Sequence, residues 1–302
     1  MSYVFYPGCS LESTAKEYAL STKAVARALG LDLPDLPGWT CCGSTAAHQS
    51  DRLLSLALPA QNLIAASDAT VAVCCAACYS RLKLANHEIA NNEESRRQVG
   101  EVLGVDYDGS TPVKHLLEIL RDDVGFDKIA KRVSRPLTGL RVAAYYGCLL
   151  VRPPAVMRFD DAENPTVLDD VLTAAGAEPV EWPYKTECCG TSYSITKTEI
   201  VLRLSRGILT MARDAGADCI ATACPLCQLN LDMRQGDIER KTNEKFNLPI
   251  FYFTQLLGLA LGLPAKELGL RSLIVDPRPL LTEKGMFPQG MRAGSAEKAR
   301  RL

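Results

Sequence analysis

Residues 70–78 read Thr-Val-Ala-Val-Cys-Cys-Ala-Ala-Cys, and residues 219–227 read Cys-Ile-Ala-Thr-Ala-Cys-Pro-Leu-Cys. In both, a short apolar run leads into Cys-x-x-Cys and then into a stretch of helical character. Thr70 to Cys74 predicts a buried strand feeding Cys75-x-x-Cys78 and a long polar helix to about Val102. Cys219 to Ala223 predicts a second strand, with a helix from Leu226 to Arg240. Strand, thiol pair and helix, met twice, describe an α/β unit with its sulfur at the carboxyl end of a strand, where ligands of open parallel sheets collect.

Outward from these two stretches the same landmarks recur in the same order. Cys9, then Cys41-Cys42-Gly43, then Cys75 and Cys78 are matched by Cys148, then Cys188-Cys189-Gly190, then Cys224 and Cys227. Between the landmarks lie 31 and 32 residues in the first copy and 39 and 34 in the second. The flanks agree: Val4-Phe5-Tyr6-Pro7-Gly8-Cys9 parallels Ala144-Tyr145-Tyr146-Gly147-Cys148, and Pro37-Gly38-Trp39-Thr40 parallels Pro183-Tyr184-Lys185-Thr186-Glu187. A duplicated domain is the simplest account. Arg135-Pro136-Leu137-Thr138-Gly139 carries turn formers ahead of a new apolar run, which sets the boundary between Ser134 and Leu140. The expected organisation is residues 1–134, residues 140–265, and a C-terminal extension over 266–302.

The remaining segments fit two pseudo-symmetric α/β domains with largely parallel sheets. Tyr3 to Tyr6, Arg141 to Tyr146 and Pro179 to Trp182 read as strands; Glu12 to Leu29, Ser50 to Ala66, Thr166 to Ala175 and Lys197 to Ala215 read as helices. Ser10 or Ser13 is the expected cap of the first helix, Gly30 its stop, and Pro59 an expected kink in the second.

Composition narrows the class. Thirty-four basic against 35 acidic residues leave a net charge of −1, which excludes the basic footprint of a nucleic-acid binder. Met1 to Ser10 lacks the basic start of an export signal, and the longest apolar run, Phe251 to Pro264, is short of the roughly 20 residues that span a bilayer. A soluble cytoplasmic protein is expected, and in that reducing setting its 12 cysteines read as metal ligands or redox groups, not structural disulfides.

Each copy offers five thiols, one more than a tetrahedral zinc site or a cubane iron–sulfur cluster takes. An adjacent Cys-Cys pair faces one centre only if the backbone bends, and the glycine after each pair supplies that freedom. Five thiolates suggest a larger iron–sulfur centre; zinc in one half is the alternative.

This pattern, over nearly the whole chain from Cys9 to Cys227, resembles the catalytic B subunit of heterodisulfide reductase, the cysteine-rich CCG-domain family. The resemblance implies two noncubane 4Fe-4S clusters, one on Cys9, Cys41, Cys42, Cys75 and Cys78, the other on Cys148, Cys188, Cys189, Cys224 and Cys227. It implies a substrate disulfide, or a lipoyl-type sulfur, cleaved between them, with electrons delivered by a small ferredoxin-like iron–sulfur subunit and a flavin-containing subunit. The chain itself carries no ferredoxin-type cysteine run and no Gly-x-Gly-x-x-Gly fingerprint. A non-catalytic electron-transfer subunit is the competing reading.

Outside the repeat, Cys74 and Cys219 read as buried strand residues. His87 and His115 read as solvated or locally bonded on polar helices. His48, six residues after Cys42, is a weak candidate for proton delivery, with packing or capping the plainer role. The Phe251 to Leu263 segment reads as core or subunit contact. Asp276-Pro277-Arg278-Pro279 and the basic residues Arg292, Lys298, Arg300 and Arg301 are candidate partner contacts or a solvated tail.

Overall fold

The computed structural model describes residues 2–44 and 47–291. Two parallel sheets organise it. In the first, β1 (Tyr3–Tyr6), β2 (Thr70–Val73) and β3 (Val113–His115) lie in that order. In the second, β5 (Glu178–Pro179), β4 (Arg141–Tyr145), β6 (Cys219–Thr222) and β7 (Ile250–Tyr252) lie side by side. Every residue of the central strands β2 and β6 is buried, as strands covered on both faces require. Registers align the strand ends: Tyr6 pairs with Val73 and Val73 with His115, while Tyr145 pairs with Thr222 and Thr222 with Tyr252. The cysteine-bearing segments therefore leave each sheet at one edge.

Helices expected to be continuous are broken at polar residues that cap their own successors. Asp51 accepts from Leu54 N at 2.7 Å and starts the Arg52–Ala65 helix, which runs on through Pro59. Asn92 separates Ala76–Asn91 from Glu93–Leu103 by accepting from Ser95 N. Neither Ser10 nor Ser13 is an N-cap: the first helix splits into Gly8–Glu12, which Ser13 ends, and Lys16–Leu29, and Ser13 Oγ donates to Cys9 O. The expected Leu226 to Arg240 helix divides at Arg234 into Pro225–Met233 and Gln235–Thr242. The edge strand β5 ends at Pro179, because Trp182 turns inward and its Nε1 donates to Ala144 O.

β3 and β7, three residues each, escape the periodicity reading. Each is followed at once by a helix whose third residue turns back on the strand end: Glu118 Oε2 accepts from His115 N, and Gln255 Oε1 accepts from Tyr252 N. The duplication thus extends past the cysteines, to His115 and Tyr252.

His115 is therefore locally bonded and not solvated, and it ends a strand instead of lying on a helix. It is fully buried, its Nε2 lies 2.9 Å from Cys74 O, and its Nδ1 accepts from Leu117 N at 3.2 Å. His87, by contrast, is exposed on the Ala76–Asn91 helix. Burial pushes the His115 imidazole down to about 4, so the folded protein refuses a proton that the unfolded chain accepts near 6.5. The unfolded state binds more protons between those values, so the contribution is complete above about pH 6.5 and is lost as pH falls to about 4, by up to about 3 kcal/mol. Burial raises the carboxyls of Asp169 and Asp232, which tilt the profile the other way. Urea midpoints of wild type and His115→Gln compared across pH 4–7 isolate the histidine: wild type should lose stability faster on acidification, and parallel profiles would refute this origin.

The two halves share a seam. Tyr18 stacks on Tyr252 with ring centroids 4.0 Å apart and planes 7° from parallel, and Ser21 Oγ meets Thr254 Oγ1 at 2.7 Å. The Phe253–Ala260 helix, wholly buried, packs against Lys16–Leu29, which makes the long apolar segment core. Across the same seam Tyr79 OH donates to Met157 O and Arg121 Nη1 to Phe159 O. Asp276 clasps Arg278 at the start of the Arg278–Glu283 helix, while Arg292, Lys298, Arg300 and Arg301 lie outside the described residues. Among the described residues no helix is long and apolar enough to cross a membrane.

Candidate metal centre

All twelve cysteines are unpaired thiols. The ten of the repeat occupy equivalent places in the two halves, and the same devices hold them. At the ends of β1 and β4, Tyr6 OH and Tyr145 OH each donate at 2.7 Å to the carbonyl just before a Cys-Cys pair, Thr40 O and Glu187 O. Trp39 meets Tyr6 edge-on, and Trp182 lies beside Tyr145. After each pair the chain turns left-handed, at Gly43 (φ +72°) and Gly190 (φ +79°), and the glycine N–H points back at the first thiol of its pair: Gly43 N to Cys41 Sγ, 3.4 Å, and Gly190 N to Cys188 Sγ, 3.3 Å. Gly8 and Gly147 are also left-handed, and a Cβ there would lie 3.0 Å from Cys78 Sγ and 3.2 Å from Cys227 Sγ. Glycine keeps that space open for sulfur.

Cys75 and Cys224 sit at the N-caps of the Ala76–Asn91 and Pro225–Met233 helices, so Cys78 and Cys227 fall in the first turn, where the positive end of the helix favours thiolate. Second members of the adjacent pairs meet the first-turn thiols: Cys42 Sγ to Cys78 Sγ is 3.4 Å, and Cys189 Sγ to Cys227 Sγ is 3.5 Å. Cys9 and Cys41 are 3.9 Å apart, and Cys148 is hydrogen-bonded to Cys188. Cys75 lies near enough to Cys78 in its own half and to Cys224 across the seam for the thiols to bias one another's protonation, as Cys224 and Cys227 also do. The ten sulfurs therefore follow one another from Cys9 through Cys41, Cys42, Cys78 and Cys75 to Cys224, Cys227 and Cys189, with Cys188 and Cys148 completing the second set. Cys42, Cys75, Cys78, Cys189, Cys224 and Cys227 are buried, while Cys9, Cys41 and Cys188 are exposed.

Packed thiols share protons. Cys42 is held well below the usual thiol range by hydrogen bonds from Cys41 and then Cys78, and Cys188 by its bond from Cys148. Cys224 is held down by Cys227 and Cys75, whereas Cys41, Cys75, Cys78 and Cys227 keep their protons. Each half thus holds thiolate character before any metal binds, the form a soft metal takes. Among the described residues no three or more His, Cys, Asp or Glu side chains close around a point as one ion requires. Five thiols in each half, one more than a single tetrahedral ion takes, suit a polynuclear iron–sulfur centre. A cavity of about 50 Å³ opens beside the second set, lined by Cys148, Cys188, Cys189, Cys224 and Cys227, with Ala76 as its wall from the first half.

Cys74 and Cys219 are buried and stand apart from the row, Cys74 against Thr22 Oγ1 at 3.5 Å. His48 is exposed on the short Ala47–Ser50 helix, and it is lowered from its ordinary value by burial and by the charge of Arg81. Tyr6, Tyr145, Gly8 and Gly147 join the site only through these contacts. The duplicated Tyr-x-Gly-Cys at residues 6–9 and 145–148 is the sequence signal that marks them.

The profile of the cysteine-rich (CCG) domain family matches residues 3–83 and 142–232. Among curated proteins, a Wolinella succinogenes 8-methylmenaquinol:fumarate reductase membrane anchor subunit is 34% identical, over 92% of this chain and 98% of its own. The B subunit of a Methanosarcina mazei ferredoxin:CoB-CoM heterodisulfide reductase is 31% identical, over 89% of this chain and 92% of its own. An Archaeoglobus profundus protein, named for its likeness to the B subunit of heterodisulfide reductase, is 29% identical, over 92% and 96%. A crystal structure of a hypothetical Helicobacter pylori protein aligns with a TM-score of 0.72 at 14% identity. That alignment covers 91% of this chain and 52% of the other, so the chain spans about half the length of the solved one and the likeness is one of fold.

Proposed function

The chain belongs to the cysteine-rich CCG-domain family that includes heterodisulfide reductase B subunits, and from that premise we propose that it is the disulfide-cleaving subunit of a heterodisulfide-reductase-like complex. Residues 1–134 would hold one noncubane 4Fe-4S cluster through Cys9, Cys41, Cys42, Cys75 and Cys78, and residues 140–265 a second through Cys148, Cys188, Cys189, Cys224 and Cys227. The observation that carries this reading is that two equivalent sets of five sulfurs come together, the second lining one cavity walled by Ala76 of the first half, with Cys75 and Cys224 interacting across the seam. When bound, the clusters would supply two one-electron carriers close together, matching the two electrons that a disulfide takes.

The chain's own residues do the rest. Tyr6 and Tyr145 fix the loops that present the adjacent cysteines, and Gly8 and Gly147 leave room for the inner sulfurs. The buried inner thiols keep water from the centre of the row, while Cys9, Cys41 and Cys188 face solvent, where a substrate sulfur has access. A small ferredoxin-like iron–sulfur subunit and a flavin-containing subunit would deliver the electrons in the cytoplasm, with residues 266–302 as a contact for them.

A second reading is favoured by the Wolinella relative, whose name attaches it to fumarate reduction. On that reading the chain relays electrons and cleaves no disulfide. Protein prepared without oxygen decides between them. The main reading expects about eight irons and eight labile sulfides per chain, and a zinc-bearing half would leave about four irons. Reduced with dithionite, freed of excess reductant and mixed with lipoamide or a mixed alkyl disulfide, the protein should take up two protons per disulfide and release two thiols. Iron-replete protein that releases no thiol from any of them would be a relay.

A further inference from the structure

Where the two halves differ beside their sulfurs, the differences carry charge. Arg81 and Asn230 hold equivalent positions, each three residues beyond the inner thiol of its helix, Cys78 and Cys227. That spacing stacks them on the thiol's face, one turn along. In the second half Asn230 Nδ2 reaches Cys189 O at 3.2 Å and Cys189 Sγ at 3.6 Å. In the first half a guanidinium stands there, half-buried, with its Nε enclosed and without a hydrogen-bond partner among the described residues. Burial lowers it from its ordinary value and the Cys42 sulfur pulls it back up. Glu187 precedes Cys188, where the first half has the neutral Thr40 before Cys41. Other charges around the second set are paired, Lys185 with Asp169 at 3.1 Å and Arg152 with Glu163 at 2.9 Å. Solvent adds to the difference, since Cys9 is exposed and its counterpart Cys148 half-buried.

We infer that Arg81 makes the centre held by the first five cysteines the easier of the two to reduce. The inference rests on the proposed reading that each set holds an iron–sulfur centre. Adding an electron adds negative charge, and an enclosed cation one helical turn away stabilises it far more than the same cation would in water. Net charge, hydrogen bonds to sulfur and solvent exposure are the quantities that set such potentials. The long amide contact from Asn230 acts in the same direction on the second set but carries no full charge. Thr40, Glu187 and the exposure of Cys9 all favour the first. The halves are alike in ligands and unlike in electrostatics, so an electron arriving from a donor would settle first beside Arg81.

A potentiometric titration of the loaded, full-length protein, followed by electron paramagnetic resonance and absorbance, tests this without reference to turnover. Wild type should show two one-electron waves. Arg81→Asn should move the more positive wave to lower potential and narrow the gap. Arg81→Lys, which keeps the charge, should largely restore it, and Glu187→Gln should raise the lower wave. Iron and sulfide content report whether each variant is still loaded. Two waves whose separation Arg81→Asn and Glu187→Gln both leave unchanged, or a lower wave that alone responds to Arg81→Asn, would overturn the inference and spare the proposed function. Wild-type protein lacking iron and labile sulfide would overturn both.

Discussion

Cys42→Ser should remove the metal of the first half and leave that of the second, halving the iron from about eight to about four per chain. Cys189→Ser should do the converse. Both sulfurs are second members of an adjacent pair, both are buried, and both touch the first-turn thiol of the facing helix, Cys78 at 3.4 Å and Cys227 at 3.5 Å. A serine hydroxyl is harder and stays protonated where hydrogen bonds draw Cys42 and Cys189 toward thiolate, so it is a poor substitute toward iron. Disulfide cleavage should fall by more than about 100-fold in either variant, beyond the usual effect of disturbing a ligand's supporting contacts. Cys74→Ser and Cys219→Ser, also buried but outside the row, are the controls and should keep their iron. Full iron in Cys42→Ser and Cys189→Ser would refute the ligand assignment.

Gly43→Ala should be nearly as damaging, through sterics instead of ligand chemistry. Gly43 has φ +72°, and a Cβ there would lie 2.7 Å from Ala47 Cβ and 2.9 Å from Leu58 Cδ1. The left-handed backbone costs about 1–2 kcal/mol for a residue with a side chain. The overlap adds about 1–3 kcal/mol, because Ala47 Cβ cannot move without its helix. Since Gly43 also aims its N–H at Cys41 Sγ, relief of the clash would pull that turn off the sulfur. Loss of about 2–5 kcal/mol in denaturant stability, together with reduced iron in the first half, is the expected result. Gly190→Ala is the graded comparison. Its closest neighbour, Leu204 Cδ1 at 3.1 Å, is the end of a flexible side chain, so it should lose less. Equal losses at the two positions would argue against this origin.

Much of this architecture could be read from the residues because cysteine is scarce and chemically distinct. Ten of them kept in order across two copies expose the duplication, and the flanking β-branched runs expose the central strands. Gly-terminated and strongly periodic segments such as Lys16–Leu29 and Thr198–Asp214 were also legible. What escaped is local or relational. β3 and β7 are too short for alternation to register, and their mark is a helix-start pattern in which Glu118 and Gln255 reach back. His115 misled because its partners, Cys74 O and the rings of Tyr79, Phe159 and Phe253, come from distant segments. The approach of Cys75 to Cys224 belongs to the same class: each copy states its own five thiols, and neither states that the sets come near each other.

The seam between the copies makes the two halves mutually dependent. Tyr18 has its stacking partner in the other copy, and the Lys16–Leu29 helix is covered by Phe253–Ala260 from the far end of the sequence. A single unduplicated unit built this way would leave that helix bare to water. Each copy thus depends on the other for cover, so neither half alone is expected to keep its fold.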